Sequence, residues 1–329
     1  MRIAIDAMGG DHAPELIVQG ALQAAAEWPD TELLLVGNAS AIEPLLAGGI
    51  PSNVKLHHAE DVIAGDEEPV KAVRRKKDSS MVVAGTLVKE KQADAMLSAG
   101  NTGALMATGL LVVGRMSGIE RPALAPMLPT QDDMGVLALD LGANMDAKPE
   151  HLLQYAIMGS VYRAKVHGLS QPRVGLLNVG TEAKKGSELT KAAFELLEQA
   201  PVNFIGNVEA RDVLSRNCDV LVCDGFSGNI LLKSMEGAAG MIFSSLKDAF
   251  GHSLLTKAAA AIMLPRLRHL KKKMDYKEHG GAPLLGLNGL VVKCHGSSDA
   301  LAVKNAVGKA RIALQGELIS SISAEINGK

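Results

Sequence analysis

One pattern recurs along the chain: a short apolar run closes on glycine with Asn, Thr or Asp beside it, and helical periodicity follows. It is seen in LLLVGN ending at Asn38, LSAGNTG at Gly103, LALDLGAN at Asn144, LLNVGTE at Glu182, NFIGNVE at Glu209 and VLVCDGFSGN at Asn229. Strands whose apolar character is continuous, not alternating, and which are separated by helices predict a mainly parallel sheet buried on both faces. Ligands on such sheets bind beyond the carboxyl ends of the strands. Helices are predicted over 15–27, where Leu16, Ile17, Gly20, Ala21 and Ala24 share a face, and over 149–163, with Pro and Glu in the first turn. Two more are predicted over 187–199, behind a Ser cap, and over 299–314. No low-complexity linker separates them, so residues 1–329 read as a single catalytic unit with two lobes.

Residues 251–281 depart from this regularity. Leu254, Leu255, Ala258, Ala261, Ile262, Leu267 and Leu270 recur at helical spacing, Pro265 interrupts them, and Lys257, Arg266, Arg268, Lys271, Lys272 and Lys273 crowd alongside. An apolar stripe beside cations suits an interfacial membrane helix. It suits equally a helix packed on another subunit with a solvated basic flank. The uncharged stretch 95–114 is about as long as a bilayer is thick. Ser98, Gly100, Asn101, Thr102 and Gly103 break it in the middle, so a strand, a polar turn and a helix explain it better.

Composition narrows the class. With 329 residues, 47% hydrophobic and 21% charged, the chain can bury a large core. An aromatic share of 3% and 34 glycines favour tight strand-to-helix turns over an aromatic-cored sandwich. A net charge of -2 offers no general basic face for nucleic acid. Cys218, Cys223 and Cys294 lie in no metal-ligand spacing and read as buried reduced thiols. The N-terminal MRIAIDAMGGDH reads as a first strand and not as an export signal.

The candidate chemistry lies in the turns. In LLNVGTEAKKGSELT the strand end is followed by Thr181, Lys184, Lys185 and a helix start at Ser187. A Walker A loop would place its lysine after the second glycine, so the loop is not one. Two cations, a hydroxyl and helix N–H groups suit inorganic phosphate or a phosphorylated ligand; a solvated lysine turn is the plain alternative. DGFSGNILLKSMEG places Ser227 and Asn229 at another strand end, without the spacing of the hydrolase nucleophile elbow. Asn229 is either an oxyanion donor or a helix cap. SAGNTG adds Asn101 and Thr102, LDLGAN adds Asp140 and Asn144, and VVKCHGSSDA adds His295 with Ser297, Ser298 and Asp299. Neighbours on one turn seldom form the relay of a catalytic triad, so an Asp or Ser helix cap is the preferred reading of that last turn. Lys71, Arg74, Arg75, Lys76 and Lys77 form a basic run that is either a solvated face or a dock for an acidic partner.

Taken together, IDAMGGDHAPE, DEEPVKAVRRKKDSSM, SAGNTGALMATG, RPALAPMLPT, LGANMDAKPEHLLQYAIMGSVY, GLLNVGTEAKKGSELT, FIGNVEARD, CDGFSGN and HGSSDA resemble the PlsX family of bacterial acyl-acyl-carrier-protein:phosphate acyltransferases from residue 1 to about residue 315. The resemblance implies that acyl carrier protein and inorganic phosphate are the partners, and that acyl phosphate for phospholipid synthesis is the product. It further implies an α/β/α sandwich of isocitrate/isopropylmalate dehydrogenase-like type, a homodimer, no metal or cofactor, and peripheral attachment to the inner face of the cytoplasmic membrane. The family's functional positions fall on Lys184 and Asn229, and its projecting helical tip on 251–281, with Leu254, Leu255, Ala258, Ile262 and Leu267 as membrane contacts.

The expected mechanism needs no activated serine, because phosphate is itself a nucleophile. Lys184, with Thr181, Lys185 and Ser187, would hold it, while Asn229 would stabilise the oxyanion. Asn101, Thr102, Asn144, Ser227 and His295 complete the expected binding set. Two rivals stand beside this. A dehydrogenase of the isopropylmalate type shares the GGDHAPE and HGSSDALAVKNA turns loosely but would want the G-x-G-x-x-G or paired aspartates that are missing here. A non-enzymatic membrane adaptor would use Lys271 to Lys273 and Arg74 to Lys77 to carry acyl carrier protein.

Overall fold

The computed structural model of the chain describes residues 1–251, 260, 262–267 and 281–328. In chain order the elements begin with β1 (Arg2–Asp6), α1 (Glu15–Glu27), β2 (Glu32–Gly37), α2 (Ala39–Ile42), β3 (Val54–His58), α3 (Pro69–Arg75), α4 (Ser80–Lys89), β4 (Ala95–Ser98) and α5 (Thr102–Thr108). They continue with β5 (Ala123–Leu124), β6 (Met127–Leu128), β7 (Val136–Leu139), α6 (Pro149–His167), β8 (Arg173–Asn178), α7 (Glu188–Glu198), β9 (Asn203–Glu209) and β10 (Val220–Val222). The chain closes with α8 (Gly225–Gly251), β11 (Ala282–Leu285), β12 (Leu290–Lys293), α9 (Ala300–Gln315) and α10 (Leu318–Ile326).

The strands form two sheets. One has the order β3-β2-β1-β4-β12-β11-β5 and is parallel except at β11, which runs against both neighbours. The other has the order β6-β7-β10-β8-β9, with only β6 antiparallel. The continuous apolar runs are explained by burial on both faces: β4 and β7 are buried at every residue. Helices α3, α4 and α5 cover one face of the first sheet, and α8 covers one face of the second. The remaining faces of both sheets share one core with α1, α6, α7, α9 and α10, in which Ile3, Leu97, Leu139, Val220, Tyr155 and Val307 are all buried. This gives the α/β/α layering that the family resemblance implies, with the mainly parallel strands divided between two sheets.

Local chemistry sets the helix starts. Ser187 Oγ accepts from the Thr190 N–H at the head of α7, and Asp299 Oδ1 accepts from the Ala302 N–H at the head of α9. One predicted strand end is displaced. In NFIGNVE, β9 runs on through Gly206, whose φ of 92° accompanies a one-residue register shift against β8 between Val174 and Leu176. The glycine marks a bulge that keeps the strand paired to Glu209, not a turn that ends it.

Residues 95–114 form β4, a polar turn, α5 and a π-helical turn over Gly109–Val113. No helix among the described residues is long and apolar enough to cross a membrane. Of the expected tip contacts, Leu254, Leu255 and Ala258 lie outside the described residues; within the helical 262–267, Ile262 is 82% exposed and Leu267 is partly buried.

The end of α6 carries a pH liability. His167 packs edge-on against Tyr162, with ring centroids 5.6 Å apart. Burial, then the charges of Arg163 and Lys309, push its pKa down to about 4 from 6.5. The folded protein therefore resists a proton that the unfolded chain accepts, so this contribution is complete above pH 6.5 and is lost as pH falls toward 4. His167→Phe is expected to flatten the fall of Tm between those values relative to the wild type; parallel Tm curves would contradict the assignment.

Candidate active site

All the parallel strands of each sheet present their carboxyl ends at one edge. In the second sheet β10 lies between β7 and β8. At ordinary strand spacing the β7 and β8 ends are thus about 10 Å apart. The turn 140–144, the start of α8 and the loop 179–187 are therefore neighbours, which is how residues distant in sequence reach one edge.

The 140–144 turn is wound around a buried carboxylate. Asp140 accepts from the N–H groups of Gly142 (3.2 Å), Ala143 (3.0 Å) and Asn144 (2.6 Å), and from Asn144 Nδ2 (2.9 Å). Burial nevertheless raises its pKa, with those hydrogen bonds opposing the shift. Helix α8 approaches this turn so closely that side chains are excluded: a Cβ on Gly225 would lie 2.6 Å from the Asn144 carbonyl oxygen, and one on Gly228 would run into the Asp140 carbonyl. The glycines of DGFSGN thus serve the contact between helix and turn.

Asp224 takes the cap position, with Oδ1 accepting from the Ser227 N–H at 2.9 Å. Asn229 is not the cap; it lies in the second turn of α8, partly exposed and packed over Gly142. Among the described residues its carboxamide makes no hydrogen bond. Asn144 differs, since its Nδ2 is engaged by Pro122 O and Asp140.

The loop after β8 is held from below. Asn178 Nδ2 donates to Lys185 O at 3.0 Å and Asn207 Nδ2 donates to Glu182 O at 2.9 Å. Gly186, at φ 95°, closes the loop where a Cβ would strike Asn178 and Thr190. Thr181, Lys184, Lys185 and Ser187 are exposed. Lys185 lies 4.0 Å from Glu182. Lys184 makes no ion pair or hydrogen bond among the described residues.

The first sheet contributes the turns after β1, β4 and β12. They surround a cavity of about 450 Å³ lined by Gly10, Asp11, Gly100, Thr102, Lys293 and His295, among others. Asn101 caps α5 through Oδ1 (Ala104 N–H, 3.0 Å), while its Nδ2 points to the carbonyls of Ala64, Gly65 and Glu67. Its side chain thereby secures the 64–67 segment at the rim of the cavity that it also lines. His295 Nδ1 accepts from the Ser297 N–H at 3.1 Å and lies 2.8 Å from Ser297 Oγ. Asp299 is occupied as the α9 cap, in keeping with the rejected triad.

A second cavity, about 140 Å³, joins the two sheets. Thr102, Lys293 and His295 line it from the first, and Leu141 and Leu232 from the turn and helix that carry Asn144 and Asn229; Leu124 and Met127 complete an apolar wall. Thr102 and His295 are therefore brought together, with Asn229 one helical turn before Leu232. The loop carrying Lys184 lines neither cavity. Sequence reasoning missed Lys293, which borders both cavities.

The three cysteines are free and buried; burial raises Cys218 to about 12 and Cys294 to about 11, and Cys223 rises well above its ordinary value. They are inert packing groups. Among the described residues no group of three or more His, Cys, Asp or Glu side chains is placed to hold a metal.

A family model described as a fatty acid synthesis protein matches residues 1–321. The phosphate acyltransferase of Brevibacillus brevis is 60% identical over 307 residues, covering 93% of this chain and 92% of that protein. That of Oceanobacillus iheyensis is 57% identical over 326 residues, covering 99% and 97%. Among solved structures, a phosphotransacetylase from Streptococcus pyogenes superposes with a TM-score of 0.60 at 17% identity, covering 96% and 94% of the two chains. A 4-hydroxythreonine-4-phosphate dehydrogenase from Klebsiella pneumoniae does so at 0.54 and 13% identity, covering 95% and 98%. These two establish a fold common to transacylases and dehydrogenases. Matched along nearly its whole length by the family model and by these relatives, the chain belongs to the PlsX family of phosphate acyltransferases.

Proposed function

We propose that the protein transfers an acyl group from acyl-acyl-carrier-protein to inorganic phosphate, giving acyl phosphate and free carrier protein for phospholipid synthesis. The observation that carries this reading is the small apolar cavity at the meeting of two strand-end edges, with Thr102, Lys293 and His295 on one wall and the Asn229 helix on another. An apolar wall accepts the first methylenes of a fatty acyl group, and polar turns beside it accept the thioester and the anion.

In the reaction a phosphate oxygen bonds to the thioester carbonyl carbon, the carbonyl oxygen becomes an oxyanion, and the C–S bond then breaks to release the carrier thiolate. Lys184, helped by Thr181, Lys185 and the Ser187 helix start, holds phosphate in attack position. The Asn229 carboxamide donates to the oxyanion. The two sheets act as one catalytic unit with two lobes. The chain works as a homodimer attached peripherally to the inner face of the cytoplasmic membrane, with 251–281 as the contact; the exposed Ile262, Met263 and Leu264 support that.

The test is purified protein mixed with acyl carrier protein charged with palmitate and with inorganic phosphate, with and without anionic liposomes. Acyl phosphate is expected in both mixtures, and sedimentation with the liposomes. No product in either refutes the transferase. Product only with lipid makes membrane contact a requirement of the transferase, and protein left in the supernatant refutes membrane contact.

A further inference from the structure

Lys293 ends β12, which pairs in parallel with the central strand β4 of the first sheet, and its side chain is partly buried there. Nζ donates to Ala99 O (3.2 Å), Gly100 O (2.8 Å) and Cys294 O. An ammonium has three N–H donors, so all are spent on backbone carbonyls and none is left to hold a ligand. The strand ladder itself stops with the Cys294 N–H donating to Ser98 O at 2.9 Å. Beyond it, the lysine carries the attachment one step further, into the turn that begins α5 and the turn that bears His295.

The surroundings fit a bracket under a site. Asp6, fully buried at the end of β1, accepts from Ser98 Oγ and from the Met8 N–H. Burial lowers the Lys293 pKa, while Cys294, Asp6 and Asp11 act against that shift. Gly9 and Gly100 let the β1 and β4 turns touch, since a Cβ on Gly9 would sit 2.7 Å from the Gly100 nitrogen. Among the described residues, the polar side chains that line both cavities are Thr102, Lys293 and His295.

We propose that Lys293 is a positioning residue for acyl transfer: by gripping three carbonyls of the β4 and β12 turns it fixes the separation of Thr102 and His295 across the wall shared by the two cavities. The inference rests on the transferase reading above. Misplacing a substrate-facing turn by about 1 Å costs on the order of a hundredfold in rate.

The experiment compares wild type, Lys293→Met and Lys293→Arg as full-length proteins, with kcat and KM for phosphate measured well below each Tm. Lys293→Met is expected to lose about a hundredfold in kcat with KM changed less than about threefold. Lys293→Arg, which still donates to carbonyls and does not titrate, is expected to regain much of the kcat. Lys293→Met with kcat within threefold of wild type, a loss confined to KM, or no recovery of kcat in Lys293→Arg would overturn the inference. If Lys293→Met fails to fold, the Lys293→Arg split decides: kcat lowered at constant KM supports positioning, and a rise in KM at constant kcat overturns it. A wild type that makes no acyl phosphate refutes the transferase reading instead.

Discussion

Lys184→Ala is expected to leave a stable protein whose kcat/KM for phosphate falls by roughly 10- to 150-fold, the equivalent of the 1.5–3 kcal/mol typical of one hydrogen bond to a charged group. The stability expectation follows from the loop. Lys184 is exposed and without a partner among the described residues, while the loop is held by Asn178, Asn207 and Gly186. Removing the ammonium therefore breaks nothing in the resting fold, and any loss must come from a ligand it meets. The check is acyl phosphate formation across a phosphate titration, with Tm measured in parallel. Unchanged turnover and unchanged phosphate affinity would end the role given to Lys184. A large loss of Tm would instead make it a structural residue.

Asn229→Ala is expected to lower kcat by on the order of a hundredfold while leaving substrate KM values close to wild type. The helix cap is supplied by Asp224 and the packing against the 140–144 turn by Gly225 and Gly228, so truncating Asn229 leaves α8 anchored. Its uncommitted carboxamide, one turn before Leu232 at the cavity, is available to a charge that develops only during reaction. A rise in KM at constant kcat would assign it to ground-state binding and overturn the oxyanion role.

The strand-end turns were legible in the sequence because their backbone demands a particular residue. Gly186 needs a positive φ, and Gly228 needs the absence of a side chain under the Asp140 carbonyl. What each polar residue does within its turn was less legible. The amide groups of Asn101 and Asn144 are already bonded to carbonyls 22 to 37 residues away in sequence, and Asn144 also to the Asp140 carboxylate, partners that no local spacing announces. Lys293 was passed over because VVKC reads as an ordinary strand end. Its carbonyl partners on the β4 turn are 194 and 193 residues away in sequence, and no local spacing announces them. The glycine of NFIGNVE misled for a related reason: the same residue that ends a strand also permits a bulge within one.

The single apolar interior reaching from Ile3 in one sheet to Val220 in the other, through Tyr155 of the helix between them, has a bearing on turnover. Two halves welded through shared packing have no cheap way to swing apart, so the crevice is shaped before anything arrives. Substrate binding then spends little on reorganising the protein.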